Sequence, residues 1–265
     1  VKTIEKKTIT ELKEWFTHYV QTFKYGDREL KQNTILKEEH TLKVCHEMIT
    51  LAEQLGLNTN ERRLAEIIAL FHDIGRFEQF ARYNTFIDKQ SENHAELGVK
   101  ILKNYGVLNK FEDSIESLIF RTIRYHNRAI LPPDETETCL FFSKLLRDAD
   151  KLDIWRVVTD YYHRRDGKRN GAIELDLPDT PGISDEVYED LMNKKIVNIH
   201  HMKNLNDFKL LQVGWVFDLN FAATYRAVRS RGYLEKIREV LPVSDKINSI
   251  FAVIHSHLDE NIQNI

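Results

Sequence analysis

Ala69-Leu70-Phe71-His72-Asp73-Ile74-Gly75-Arg76 is the stretch on which the fold turns. An apolar run leads into an imidazole and a carboxylate side by side, and a glycine follows, read as the break of the helix. Burying both groups at the end of an apolar helix is unfavourable unless something satisfies them, and a divalent cation satisfies both at once. The functional reading therefore depends on whether other helices bring further inward-facing His and Asp residues to the same place.

The helical periodicity on either side supplies them. Upstream, Thr8 to Glu11 has the form of a capping box, and Ile9, Leu12, Phe16, Tyr19, Val20 and Phe23 predict a helix over about 9–25, ended by Gly26. Leu36, His40, Val44, Met48, Ala52 and Leu55 form one stripe ahead of Gly56, which points His40 inward and leaves His46 off the stripe. Leu64, Ile68 and His72 repeat at i+4 after the Asn58-Thr59-Asn60 turn. Downstream, Arg76 to Asn93 is irregular and is expected to be an ordered loop bordering a pocket. A helix from about Ser91 carries His94, Leu97, Ile101 and Tyr105 on one face, and another from about Asp113 closes its apolar stripe with His126. After Pro132-Pro133 a helix from about Thr136 sets Phe142, Leu146 and Asp150 four residues apart, with Asp148 about 160° away around the axis. Six residues thus stand out: His40, His72, Asp73, His94, His126 and Asp150. Each alone reads as a hydrogen-bonded core residue, but together they would be satisfied by one shared cation or two.

Composition limits the alternatives. The 265 residues are 42% hydrophobic and 30% charged, enough for one sizeable core, and the net charge of −3 gives no electrostatic case for nucleic acid or an anionic membrane. Two cysteines, Cys45 and Cys139, make neither a disulfide framework nor a thiolate metal site, and no apolar run approaches a membrane span. The opening Val1 to Lys7 carries no secretory signal. The expectation is a cytoplasmic protein, neither exported nor membrane-spanning. Residues 166–184, rich in Gly and Pro, read as an excursion able to act as a lid, with Arg164-Arg165 and Lys168-Arg169 as a basic run beside it. His200, His201, His255 and His257 read as surface residues, and Trp155, Tyr161 and Tyr162 as core or pocket wall.

The pieces Glu39-His40-Thr41-Leu42-Lys43-Val44, Phe71 to Arg76 and Asp148-Ala149-Asp150-Lys151-Leu152-Asp153 together resemble the HD-domain superfamily of metal-dependent phosphohydrolases. The resemblance covers about residues 30–160. It implies an all-α HD-domain bundle within a single domain over 1–265, with a helical extension over about 185–265. It also implies His40, His72, Asp73 and Asp150 as ligands of a first metal, Asp150 being preferred to Asp148 because a basic residue, Lys151, follows it. His94 and His126 match the extra histidines of the subgroup that holds two metals bridged by the aspartate of the His-Asp pair. The Gly-Tyr-Pro loop of the cyclic-dinucleotide phosphodiesterases is absent here, since Asn127-Arg128-Ala129 follows His126. Imidazole and carboxylate donors suit Mn, Fe, Co, Ni, Mg or Zn, and two such ions about 3.5–4 Å apart would activate a water for attack on phosphorus. Arg76 and Lys151, which directly follow ligand motifs, are the candidate phosphate contacts. Asp153 could orient Lys151 or a water, or form an ordinary salt bridge. The expected substrate is a small phosphorylated molecule, nucleotides included. The rivals are a diiron oxygenase on the same scaffold and a non-catalytic metal-binding regulatory module.

Overall fold

The computed structural model describes residues 3–164 and 170–263, and among them there is no β-strand. The protein is all-α. The chain divides into two compact units, Val1–Asp153 and Ile154–Ile265, with the division falling inside one long helix.

In the first unit α1 (Lys6–Gln21), α2 (Arg28–Gln54), α3 (Thr59–Phe71), α4 (Gly75–Tyr83), α5 (His94–Asn104), α6 (Asp113–Tyr125) and the first part of α7 (Glu137–Tyr162) follow one another. Packing of α2 on α3, α4 on α5 and α5 on α6 builds a core with α3 near its centre, where Ala65, Ile67, Ile68, Ala69, Leu70 and Phe71 are essentially inaccessible. Asn58 starts α3 with a full capping box: its side chain accepts from the backbone of Glu61, and the Glu61 carboxylate accepts from the Asn58 amide. The box expected at Thr8 does not form. α1 begins earlier, after Glu5, and its entry is tied instead to α3 by Ile4 N–H donating to Asn60 Oδ1 at 2.6 Å and Arg63 Nη1 donating to Ile4 O at 2.6 Å. α2 likewise starts sooner than its apolar stripe suggests, because the Asp27 side chain caps it by accepting from Leu30 N.

The main correction concerns Arg76 to Asn93. The first half is helix α4, not loop, with Phe77, Gln79 and Phe80 buried and Phe77 edge-on to Phe16 at 5.9 Å. Its period was obscured because a buried glutamine stands on the inner face. Residues 84–93 remain loop with one short 3-10 turn at Asp88–Gln90. Gly75 does not end a helix either. It begins α4 where α5 crosses closely: a Cβ there would lie 2.1 Å from His94 O and 2.7 Å from Gly98 N. Leu55 and Tyr105, extrapolated onto apolar stripes, fall on the last residues where the backbone leaves the helix, and Tyr105 is 64% exposed.

The second unit comprises the end of α7, the short α8 (Gly171–Glu174), α9 (Asp185–Met192), α10 (Leu205–Gly214), α11 (Ala222–Arg231), α12 (Tyr233–Glu239) and α13 (Asp245–Gln263). α13 packs on α9 and α11, and α10 packs on α9 and α12. Trp155 is core here, its indole N–H donating to Gln212 O at 2.9 Å and its ring stacked on Tyr233. Of the proposed lid and basic run, Arg165, Asp166, Gly167, Lys168 and Arg169 lie outside the described residues. No helix among the described residues is long and apolar enough to cross a membrane.

The close crossing at Gly75 gives a direct test. A methyl group there meets backbone on α5, which cannot rotate away, so Gly75→Ala should cost about 3 kcal/mol, the upper end of the range for overpacking. Chemical denaturation of the variant beside wild type measures it, and a loss below about 0.5 kcal/mol would mean that the two helices are free to separate.

Candidate metal centre

Helix ends deliver most of the site. His72 stands at the C-cap of α3 and His126 at the C-cap of α6, while His94 is the first residue of α5 and His40 lies in the middle of α2. All four imidazoles and Asp73 are buried, and the Asp150 carboxylate is 19% exposed. The structure brings all six sequence-derived residues together, in two groups that could each hold a metal ion: His40, His72 and Asp150, and Asp73, His94 and His126. Asp148 is also fully buried but joins neither group.

Each imidazole has its Nδ1 committed outward. His72 Nδ1 donates to Ala69 O at 2.7 Å, and His126 Nδ1 donates to Ile123 O at 2.6 Å. Both acceptors are carbonyls three residues back in the last turn of a helix, where the regular i+4 donor is missing. His40 and His94 have no such carbonyl to use, one being in mid-helix and the other at a helix start. Carboxylates serve them instead: His40 Nδ1 donates to Asp153 Oδ2 at 2.7 Å, and His94 Nδ1 lies 2.9 Å from both oxygens of Asp88. Carbonyls and carboxylates only accept, so every Nδ1 carries a proton and every neutral ring turns a bare Nε2 inward.

What those Nε2 atoms meet is more acceptors. His94 Nε2 and His126 Nε2 are 3.0 Å apart and lie 3.3 and 3.6 Å from Asp73 Oδ1. The other oxygen, Asp73 Oδ2, lies 3.7 Å from both His40 Nε2 and His72 Nε2. Asp150 Oδ1 is 3.0 Å from His40 Nε2 and 3.8 Å from His72 Nε2. His40 Nε2 and His72 Nε2 are buried with no hydrogen-bond partner. Lone pairs that converge in this way, away from water, would be satisfied by a cation, and the imidazole and carboxylate donor set fits a first-row transition metal or Mg. Asp73 offers one oxygen to each group.

The electrostatics agree. Burial lowers the His72 imidazole to about 4, and burial with the Arg76 charge lowers His94 to about 3, so both are neutral ligands at ordinary pH. Burial and Lys37 also disfavour the His40 imidazolium, but Asp150 and Asp153 outweigh them and raise it to about 9. Burial alone would raise Asp73 and Asp150; cationic and imidazole neighbours hold both below the usual carboxylate range, Lys37 leading for Asp73 and His40 for Asp150.

Two contributors, Lys37 and Asp88, were not singled out in the sequence, and a third, Asp153, was singled out without its partner His40. Lys37, one turn before His40, places Nζ 2.8 Å from Asp73 Oδ2 and 5.4 Å from the centroid of Phe86. Asp88 supports His94, and Asp153 supports His40. Only spacing could have flagged Lys37 and Asp153, each three residues from a ligand on its own helix; Asp88 lies in a loop and carries no periodic signal. Of the candidate phosphate contacts, Arg76 borders the site with Nε 3.6 Å from Asp73 Oδ1 while its Nη1 donates to Gln79 Oε1, Phe86 O and Asp88 Oδ1. Lys151 is 8% exposed, with Nζ 3.5 Å from Arg147 O.

Residues 38–155 match the family model of the HD domain, a stretch that contains all six converging residues. The match supports a superfamily of metal-dependent hydrolases. Neither the curated proteins nor the solved structures give a match to the chain.

Metal binding should be linked to the His40 proton. In metal-free protein the His40 imidazolium, raised from 6.5 to about 9, stabilises the fold fully below pH 6.5, and that contribution is lost as pH rises through 9. Occupying Nε2 displaces its proton, whereas His72 and His94 have none to lose. Uptake of Zn near pH 7.5 should therefore release a proton from His40, on top of any lost by metal-bound water, measured by calorimetry in buffers of different ionisation enthalpy. His40→Ala should lower the release by the share that His40 supplies, and an unchanged release in this variant would contradict the assignment.

Proposed function

We propose that the HD domain of residues 38–155 is a metal-dependent phosphohydrolase whose centre takes two divalent cations, with Asp73 shared between them. The observation that carries this reading is the division of the Asp73 carboxylate, Oδ1 facing His94 and His126 and Oδ2 facing His40 and His72. When bound, such a pair supplies Lewis acidity and an activated water for in-line attack on phosphorus.

The chain's own residues would do the rest. Asp150 completes one group and keeps the edge of the centre accessible, its carboxylate being the only one of the six side chains more than 5% exposed. Lys37 presents an ammonium at the Asp73 side of the centre, steadied by the face of the Phe86 ring. It joins Arg76 and Lys151 as a group to receive phosphoryl oxygens, its Nζ standing 2.8 Å from Asp73 Oδ2. Arg76 contributes through Nε, which is buried with no hydrogen-bond partner. The substrate is a small phosphorylated molecule, nucleotides included, rather than nucleic acid or a membrane. Free, buried Cys45 and Cys139 support a reducing, cytoplasmic setting.

The test separates hydrolysis from oxygen chemistry on the same ligands. Protein reconstituted with Mg, Mn, Co or Zn should release phosphate from a panel of phosphomonoesters, phosphodiesters and nucleotides under strict exclusion of dioxygen. Lys37→Ala should lower kcat/KM by about 10- to 100-fold, in line with the loss of a charge-assisted hydrogen bond. Activity that requires both iron and dioxygen would instead establish the oxygenase.

A further inference from the structure

The two histidines that lack a helix-end carbonyl mark the two groups of the centre, one in each. His40 belongs with His72 and Asp150, and its Nδ1 rests on Asp153, which is 1% exposed on α7. His94 belongs with Asp73 and His126, and its Nδ1 rests on Asp88, which is 28% exposed in the segment between α4 and α5. One support is part of a rigid helix. The other is a loop carboxylate that has to be held in place.

The holding groups are all present. Asp88 Oδ1 accepts from Arg76 Nη1 at 3.1 Å and Gln79 Nε2 at 2.9 Å, and Oδ2 accepts from Asn127 Nδ2 at 3.1 Å. Gln79 is fully buried, and its Nε2 also lies 2.9 Å from Ser91 Oγ and 2.8 Å from Glu92 O, which fastens the rest of the loop to α4. Arg76 balances the carboxylate charge, and Asn127, the residue after His126, ties it to the end of α6. A loop aspartate with donors from α4, α5 and the end of α6 does more than complete a turn: it fixes which nitrogen of His94 bears the proton and where its ring points.

We propose that Asp88 is the positioning residue of the second metal site, setting the His94 tautomer so that Nε2 is presented with Asp73 and His126, while Asp153 does the same for the first site through His40. This inference rests on the two-metal reading above but not on the substrate or the reaction. It predicts that the two sites are tuned separately. Loss of an outer partner of a ligating histidine typically lowers metal affinity 10- to 100-fold.

The experiment is a titration of metal-free protein with Zn, followed by calorimetry and by metal per chain after gel filtration. Wild type should bind two. Asp88→Ala should weaken one binding step by about 10- to 100-fold and leave the other within about threefold, and Asp88→Asn should fall between, since its amide oxygen still accepts from Nδ1 but carries no charge. Asp153→Asn should weaken a step that survives in Asp88→Ala, so that the double variant is weak in both. Should Asp88→Ala not fold, Asp88→Asn decides, being isosteric. Both steps at wild-type strength in that variant, or both weakened equally, would overturn the proposal, as would a wild type that binds a single metal. Two metals in wild type without phosphate release would count against the hydrolase reading alone.

Discussion

Four histidine Nε2 atoms and two carboxylates converge in the first unit with few protons among them, and this is the constraint on which its structure depends. Two of the histidine Nε2 atoms approach to 3.0 Å, a distance at which bare lone pairs repel. Anchoring each ring from behind holds such an arrangement, and a cation in front would relieve it. The anchors are visible in every case, and the donor types are those of a divalent metal centre. A proton is a partial substitute: it relieves His40 between Asp150 and Asp153 but leaves His72 and His94 bare.

The helices are arranged to serve those anchors. Ending α3 and α6 at His72 and His126 frees the carbonyls of Ala69 and Ile123 to take the Nδ1 protons, so helix termination and ligand orientation are one event. Starting α5 at His94 provides no such carbonyl, and the connection from α4 returns Asp88 to that point. The tight crossing of Gly75 beneath His94 O keeps the helix after the His-Asp pair and the helix bearing His94 in contact, so Asp73 Oδ1 reaches the second group. Packing and chemistry are therefore not separable here.

Much of this was legible in the sequence because a helix writes its inner face at intervals of three and four. His40, His72, His94, His126 and Asp150 each continue or close an apolar stripe, and all five arrive where periodicity sends them. Choosing Asp150 over Asp148 relied on the resemblance, through the basic residue Lys151 that follows it, and Asp150 is the one that joins His40 and His72. Two kinds of feature were hidden. Helix α4 reads as loop because Gln79 stands on its inner face, and that glutamine is inside to bind Asp88, Ser91 and Glu92, partners that no local pattern reveals. Lys37 and Asp88 were hidden, and the partner of Asp153 with them, for a related reason: a charged residue in a helix or a loop looks solvated until the fold supplies its partner. The resemblance rested on the ligands themselves, whereas the residues that orient them are long-range contacts.

The central claim is that the six side chains converge on two cations, and diffraction from crystals grown with Mn or Co tests it most directly. An anomalous difference map should show two peaks, one within about 2.0–2.3 Å of donor atoms of His40, His72 and Asp150 and the other equally close to His94 and His126, with Asp73 reaching both. A map with no peak among these residues, or with their Nε2 atoms turned onto protein donors instead, would contradict the account.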